Sequence, residues 1–265
     1  MKVLSVGNSF SVDCQRYVRE IAAGNGKEIT LGNLYIGGCS LERHCENMES
    51  GLPAYEYFYN NKSLGSTSLL TGLKDENWDV VTLQQASHFS GKLETYFPYI
   101  KTLYDYIKNI LPNAEIIVNE TWAYEYNSTH HAFADYNSDR QTMHDMLTKS
   151  YTLAAQSIGA RLIPVGKAVS LAREDERFDP EKGGIALTRD GFHLSYSYGR
   201  YLAGLVWYMA LTGDTIERIP FCPADYEYIG RDKTTNEPMY KEIKGTRADE
   251  KLLSLLLNYA KAALV

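Results

Sequence analysis

The feature that most constrains the fold is a succession of five short apolar runs, separated by stretches with helical periodicity. The runs cover residues 2–6, 29–36, 79–83, 114–118 and 161–165. Their residues do not alternate between apolar and polar types, which indicates strands that are buried on both faces. The pattern therefore predicts an α/β fold, in which helices cover both faces of a central, mostly parallel five-stranded sheet.

The remaining stretches predict helices and one irregular segment. Helices are predicted over residues 12–23, 138–158, 201–211 and 249–264 from their apolar spacing. Residues 214–246 lack this spacing and are predicted to form a small hairpin or lid insertion. No repeat or low-complexity linker divides the sequence. Residues 1–265 are therefore expected to form a single domain.

Residues with chemical potential follow four of the five predicted strands, at the point where each strand ends. They are the pairs Asn8-Ser9, Gly37-Gly38, Gln84-Gln85 and Asn119-Glu120. Ligands of open α/β sheets bind beyond the carboxyl ends of the strands. We therefore expect these residues to surround one site.

Ser9 is the candidate nucleophile, because the turn from strand to helix offers backbone N–H groups and the positive helix end to a developing oxyanion. A serine hydroxyl needs a base, and the base needs an acid to orient it. The turn Asp190-Gly191-Phe192-His193 supplies both. Each motif alone has a simpler interpretation, a helix-capping serine or an incidental surface histidine. Together they favour a serine hydrolase that acts on esters.

In these motifs the chain resembles the SGNH hydrolases of the GDSL esterase/lipase superfamily. Gly7-Asn8-Ser9 resembles the first block of that family, with Asn8 where an aspartate is usual. Residues 35–40 resemble the second block, whose glycine lends a backbone N–H to the oxyanion hole; Gly38 matches better than Gly37. The turn at 190–193 resembles the last block, which supplies the acid and the base.

The third block departs from the family pattern. The family usually has Gly-x-Asn-Asp, with the asparagine amide as an oxyanion donor, whereas this chain has Gln84-Gln85 after its third strand. A glutamine amide offers the same donor on a longer arm; Gln85 is the first candidate and Gln84 the second. The resemblance covers the first two-thirds to three-quarters of the chain. It is closest to a poorly characterised branch found in gut bacteria.

The resemblance implies a three-layer α/β/α sandwich of the flavodoxin-like type and a Ser-His-Asp mechanism. Ser9 would attack the ester carbonyl, His193 would take its proton, and Asp190 would support the imidazolium. The oxyanion would lie among the Ser9 N–H, the Gly38 N–H and the Gln85 amide. The resemblance also implies that the substrate carries a small acyl group, such as acetyl, on a carbohydrate. No cofactor or metal is implied.

Four further side chains are candidates for substrate binding at the rim of this site: Asn8, Gln84, His88 and Trp122. Two other functions remain open. One is hydrolysis of longer acyl esters by a lipase or thioesterase. The other is a catalytically idle carbohydrate-binding module on the same fold, favoured by the missing asparagine and by the 21 tyrosines.

Charge and cysteine content exclude several other classes. The net charge of -6, without a basic cluster, predicts neither a nucleic-acid partner nor a membrane-binding surface. The four cysteines form no Cys-x-x-Cys pair, so neither a zinc site nor a disulfide scaffold is expected. The expected partner is a small-molecule or carbohydrate ester, and the oligomeric state stays open. As read, the sequence predicts a cytoplasmic protein, or a periplasmic or secreted one if a leader precedes Met1.

Overall fold

A seven-stranded sheet forms the centre of the computed structural model, which describes residues 1–233 and 238–265. Its strands are, in chain order, β1 (Lys2–Gly7), β2 (Thr30–Tyr35), β3 (Tyr55–Tyr59), β4 (Lys62–Thr67), β5 (Val80–Leu83), β6 (Glu115–Glu120) and β7 (Leu162–Pro164). The order across the sheet is β4-β3-β2-β1-β5-β6-β7. Strands β2, β1, β5, β6 and β7, which are neighbours in the sheet, are all parallel. The predicted α/β fold with a mostly parallel sheet is therefore confirmed.

The sheet has seven strands rather than the predicted five, because the antiparallel hairpin β3–β4 extends it beyond β2. Asn60 and Asn61 connect the two strands with φ angles of 49° and 65°. Asparagine tolerates this left-handed conformation, which the common two-residue hairpin turns require. The signal was present in the sequence, since β3 reads Tyr-Glu-Tyr-Phe-Tyr and aromatic residues favour strands.

Helices flank the sheet in two groups. They are α1 (Ser9–Gln15), α2 (Val18–Gly24), α3 (Leu41–Ser50), α4 (Leu69–Lys74), α5 (Tyr99–Ile110), α6 (Arg140–Ser157), α7 (Val165–Arg173), α8 (Tyr198–Thr212) and α9 (Glu250–Ala263). Helices α1, α2, α7 and α9 pack around α8, whereas α3, α4 and α5 contact one another. None of the helices in the described ranges is long and apolar enough to cross a membrane.

The first helix begins earlier than the sequence predicts and is divided. Instead of one helix over 12–23, α1 starts at Ser9 and α2 starts at Val18. The break falls at Tyr17, whose backbone leaves the helical region with φ -115° and ψ 4°. The earlier start matters for the site, because it makes Ser9 the first residue of α1.

A second hairpin lies outside the main sheet, between α8 and α9. Strands β8 (Tyr226–Arg231) and β9 (Pro238–Glu242) pair antiparallel within the segment predicted as a hairpin or lid. Residues 234–237 of that segment lie outside the described residues. The hairpin is anchored to the body by Tyr240, whose hydroxyl donates a hydrogen bond to the Arg189 carbonyl at 2.6 Å.

Candidate active site

Ser9 lies where β1 ends and α1 begins, in a turn whose shape is fixed by its neighbours. Asn8 caps the helix, since its side-chain oxygen accepts the Phe10 N–H at 3.1 Å. Ser9 is therefore not the capping residue. Only glycine fits at position 7 without a clash, because a Cβ there would lie 2.5 Å from the Ser11 hydroxyl oxygen.

The structure brings Ser9, His193 and Asp190 together in one hydrogen-bonded chain. The distance from Ser9 Oγ to His193 Nε2 is 2.8 Å, and that from His193 Nδ1 to Asp190 Oδ2 is 2.6 Å. The His193 and Asp190 side chains are 17% and 14% exposed, so the chain is sheltered but reachable. Burial raises the pKa of Asp190, but its hydrogen bonds with His193 outweigh burial and lower the pKa overall. Asp190 is therefore a carboxylate at neutral pH.

The turn that carries the acid and the base is closed by its own carboxylate. Asp190 Oδ1 accepts the N–H groups of Phe192 and His193, at 3.1 and 2.7 Å. Gly191 has a φ of +91°, a conformation that glycine adopts without strain. The spacing of three residues thus places the carboxylate against His193 Nδ1 and leaves Nε2 facing Ser9.

Two of the predicted oxyanion donors are the backbone N–H groups of Ser9 and Gly38. Gly38 lies in the turn after β2 with a φ of +61°. Within the described residues, neither its N–H nor the Ser9 N–H donates to a protein acceptor. The Gly38 turn is tied to the nucleophile turn, since the Asn8 side-chain amide donates to the Cys39 carbonyl at 3.1 Å. Both N–H groups remain available for a substrate oxygen.

The assignment of Gln85 as the third donor is corrected by its hydrogen bonds. Its amide nitrogen donates to the Thr95 carbonyl at 2.9 Å and to the Thr95 hydroxyl at 3.1 Å. Its amide oxygen accepts the N–H groups of Leu41 and Ala86, at 3.0 and 2.8 Å. Because the side chain is fully buried and both amide hydrogens are used, Gln85 has none to offer an oxyanion.

Gln84 and Asn8, predicted to bind substrate, are instead buried in a chain of side-chain amides. In this amide chain Trp207 Nε1 donates to Asn119 Oδ1 at 2.9 Å, and Asn119 Nδ2 donates to Gln84 Oε1 at 2.9 Å. Gln84 Nε2 then donates to Asn8 Oδ1 at 2.8 Å, and Asn8 Nδ2 reaches the Cys39 carbonyl. These side chains therefore support the site from beneath and do not face a ligand.

Trp122, predicted at the substrate rim, is also buried and supports the acid–base turn. Its ring stacks on Phe10 with centroids 4.3 Å apart. Its indole Nε1 donates to the Phe192 carbonyl at 2.7 Å. The sequence alone does not distinguish a tryptophan that binds substrate from one that is buried under the site, because both can follow the end of a strand.

A row of flat rings runs from His193 through Phe192 and His130 to the predicted His88. His88 and His130 are half-buried and nearly parallel, with centroids 6.3 Å apart. His130 also contacts Phe192 at 5.1 Å. Burial lowers the pKa of His88 and, with the His131 charge, lowers that of His130 to about 4, so both rings are neutral at pH 7. Sequence analysis did not include His130 among the site residues. Among the described residues, no cluster of acidic, histidine and cysteine side chains is suited to a metal.

A buried histidine under the Gly38 turn predicts a pH-dependent stability. His44 Nδ1 lies 2.9 Å from the Tyr55 hydroxyl and 3.5 Å from Cys39 Sγ, and burial lowers its pKa from 6.5 to about 3. Between pH 6.5 and pH 3, His44 is therefore protonated in the unfolded chain but neutral in the folded chain. The contribution of neutral His44 to the free energy of unfolding is fully present above pH 6.5. It is lost as the pH falls below 6.5, by about 2 kcal/mol at pH 5. Urea unfolding at pH 7 and pH 5 measures this.

The control for this prediction is His44→Gln, which removes the titrating ring. The difference in unfolding free energy between pH 7 and pH 5 should be smaller in the variant by about the same 2 kcal/mol. An equal pH dependence in the two proteins would contradict the assignment.

The architecture is the one found in solved structures of SGNH hydrolases, so the comparison concerns the fold. A provisionally identified SGNH hydrolase from Slackia heliotrinireducens matches with a TM-score of 0.53 and 21% identity, covering 80% of this chain and 98% of its own. A lipase/acylhydrolase from Enterococcus faecalis matches with a TM-score of 0.51 and 14% identity, covering 80% and 95%. The resemblance drawn from the motifs is thereby confirmed at the level of the fold.

The chain belongs to the DUF4886 family, whose model matches residues 2–234 and is described as a domain of unknown function. A crystal structure of a DUF4886 family protein from Bacteroides uniformis matches with a TM-score of 0.85 and 30% identity. That match covers 100% of this chain and 94% of the other. No curated protein matches the chain.

Proposed function

We propose that this protein is a serine ester hydrolase that works through an acyl-enzyme. The observation that carries the proposal is the hydrogen-bonded chain from Ser9 Oγ through His193 to Asp190, with distances of 2.8 and 2.6 Å. A base within about 2.6–3.2 Å of a hydroxyl is positioned to remove its proton. The fold shared with SGNH hydrolases supports the same reaction class.

In the acylation step, Ser9 Oγ attacks the carbonyl carbon of the ester while its proton passes to His193 Nε2. Asp190 holds the Nδ1 proton and stabilises the imidazolium. The N–H groups of Ser9 and Gly38 hold the tetrahedral oxyanion, and one such donor contributes about 10²–10³ in rate. When the intermediate collapses, the bond to the alcohol oxygen breaks and His193 returns its proton to that oxygen.

In the deacylation step, a water molecule takes the place of the alcohol. His193 removes a proton from the water, which attacks the acyl carbon bound to Ser9 Oγ. The second tetrahedral intermediate expels Ser9 Oγ, which takes its proton back from His193. The products are a carboxylic acid and free enzyme, so the cycle needs neither metal nor cofactor.

Small acyl groups on a carbohydrate are the substrate class that the surroundings favour. The rings of Phe192, His130 and His88 form a row that begins in contact with His193, the base that must protonate the leaving alcohol. Flat rings with a polar edge suit a sugar. A cavity of about 220 Å³ near the Gly38 turn is lined by polar side chains, including Ser40 and Thr95, together with three aromatic rings, and its small volume favours a short acyl group.

The two other candidate functions receive less support. Hydrolysis of longer acyl esters would need an extended apolar groove, whereas the small cavity near the Gly38 turn carries Glu42 and Glu94 beside its aromatic rings. An idle binding module would not need Ser9 Oγ within hydrogen-bond distance of His193 Nε2. The geometry therefore favours an active hydrolase.

The test is hydrolysis of p-nitrophenyl esters from acetate through butyrate and octanoate to palmitate. Activity should be highest for acetate and fall steeply with chain length, and acetate should be released from acetylated oligosaccharides. In parallel, a fluorophosphonate should label the protein, and peptide mass spectrometry should place the label on Ser9. Rates that rise with chain length would replace the small-acyl proposal by the longer-acyl one. Absence of both hydrolysis and labelling would contradict ester hydrolysis altogether.

A further inference from the structure

Asp13 is a fully buried carboxylate that lies one helical turn after Ser9 on α1. Its oxygens accept hydrogen bonds from Arg189 Nη1 at 3.0 and 3.1 Å and from Arg200 Nε at 2.8 Å. They also accept the backbone N–H of Leu194 at 2.8 Å. One side chain on the nucleophile helix therefore reaches residues more than 170 positions away.

The partners of Asp13 are the residues on either side of the acid–base turn. Arg189 comes directly before Asp190, and Leu194 comes directly after His193. The two ends are also joined to each other, since the Arg189 N–H donates to the His193 carbonyl at 2.9 Å and the Arg189 guanidinium donates to the Leu194 carbonyl. Asp13 thus holds both ends of the turn at once.

Asp13 is an ionised carboxylate held between two guanidinium groups. Burial by itself raises the pKa of Asp13, but the Arg200 and Arg189 guanidinium groups outweigh burial and lower it overall. Both guanidinium groups also lie over the ring of Tyr196, at 4.4 and 5.0 Å from its centroid. A buried ion cluster of this kind adds little net stability compared with apolar packing, but it fixes the directions of its members.

We propose that Asp13 is a positioning residue for the reaction proposed above, and the inference rests on that function. By tying α1 to both ends of the acid–base turn, it sets the distance between Ser9 Oγ and His193 Nε2. It is fully buried and its contacts are protein groups, so it acts through these two residues and not on the substrate. A misplacement of about 1 Å between reacting groups costs about 10² in rate.

The primary test is Asp13→Asn, which keeps the shape of the side chain and removes its charge. With p-nitrophenyl acetate, kcat should fall about 10- to 100-fold while KM changes less than about threefold, since substrate contacts are untouched. The rate of Ser9 labelling by a fluorophosphonate should fall by a similar factor. A structural role alone would lower the unfolding free energy without changing these rates in the folded protein.

The matched control is Asp179→Asn, a second buried carboxylate that pairs with an arginine. Asp179 is 3% exposed and accepts hydrogen bonds from Arg140 Nη1 and from the Glu181 N–H, both at 3.3 Å, and neither partner belongs to α1 or to the acid–base turn. Its kcat should stay within about twofold of the unmodified enzyme. If Asp13→Asn does not fold, Arg189→Lys serves instead, because it keeps the charge but loses the guanidinium that bridges Asp13 to Leu194; its kcat should fall about tenfold.

The outcomes separate this inference from the proposed function. A folded Asp13→Asn variant with unchanged kcat, or with a raised KM alone, would overturn the positioning role and leave the hydrolase intact. An unmodified protein without hydrolysis of any ester and without Ser9 labelling would overturn both. A fall in kcat and in labelling rate that spares the Asp179→Asn control supports the inference.

Discussion

Replacing Ser9 by alanine is expected to lower kcat/KM for ester hydrolysis by about 10⁴–10⁶ while the protein stays folded. The hydroxyl makes its hydrogen bond to His193 Nε2 in a partly exposed position, so its loss leaves no fully buried group without a partner. The measurement is p-nitrophenyl acetate hydrolysis, with circular dichroism to check the fold. A variant that keeps a tenth of the activity would remove Ser9 from its proposed role.

Ser11→Ala is the matched control, two residues further along the same helix. The Ser11 hydroxyl is buried, and its single hydrogen is shared between two acceptors, the Asn8 carbonyl at 2.7 Å and Asn33 Oδ1 at 2.9 Å. Its removal should cost about 1–2 kcal/mol of unfolding free energy, because buried acceptors lose their donor. Activity should stay within a few-fold of the unmodified enzyme. The two serines should thus show opposite effects on activity and on stability.

Asp190→Asn is expected to lower kcat by about 10⁴, the second largest effect. An asparagine amide would donate to His193 Nδ1, which moves the ring proton to Nε2. Nε2 would then donate to Ser9 Oγ at the position from which it must accept a proton. The turn itself should survive, because an amide oxygen can still accept the N–H groups of Phe192 and His193.

The control for this substitution is Asp105→Asn, at an exposed carboxylate on α5 that pairs with Lys101 at 2.9 Å. Its kcat should be unchanged. Ester hydrolysis rates of both variants, measured with the fold checked by circular dichroism, give the comparison. An Asp190→Asn enzyme within tenfold of the unmodified one would show that the carboxylate does not set the tautomer of His193.

Much of the fold followed from local patterns that tertiary structure rarely overrides. The apolar runs at β1, β5 and β6 have no polar alternation, and strands of that kind fit only inside a covered parallel sheet. The acid–base turn was also readable, because three residues separate Asp190 from His193 and a tight turn brings such positions together. These features depend on neighbours in the sequence.

The errors concern side chains whose partners lie far away in the sequence. Gln85 follows its strand as an oxyanion donor would, yet its amide is fixed by Leu41, 44 residues earlier. Trp122 likewise has the position of a rim residue, but its indole is held by Phe192, 70 residues later. Spacing in the chain predicts where a side chain starts. Only the packed structure shows to which group it donates.

The amide chain beneath the site limits which residue can stand at position 8. Every hydrogen bond in it runs in the same direction, from the indole of Trp207 to the carbonyl of Cys39. The link at position 8 must accept from Gln84 and donate onward, which an asparagine does and an ionised aspartate, lacking a hydrogen, does not. Asn8 and Gln84 therefore form a matched pair, and an aspartate at position 8 would break the hydrogen-bonded chain that ends at the Cys39 carbonyl, next to Gly38.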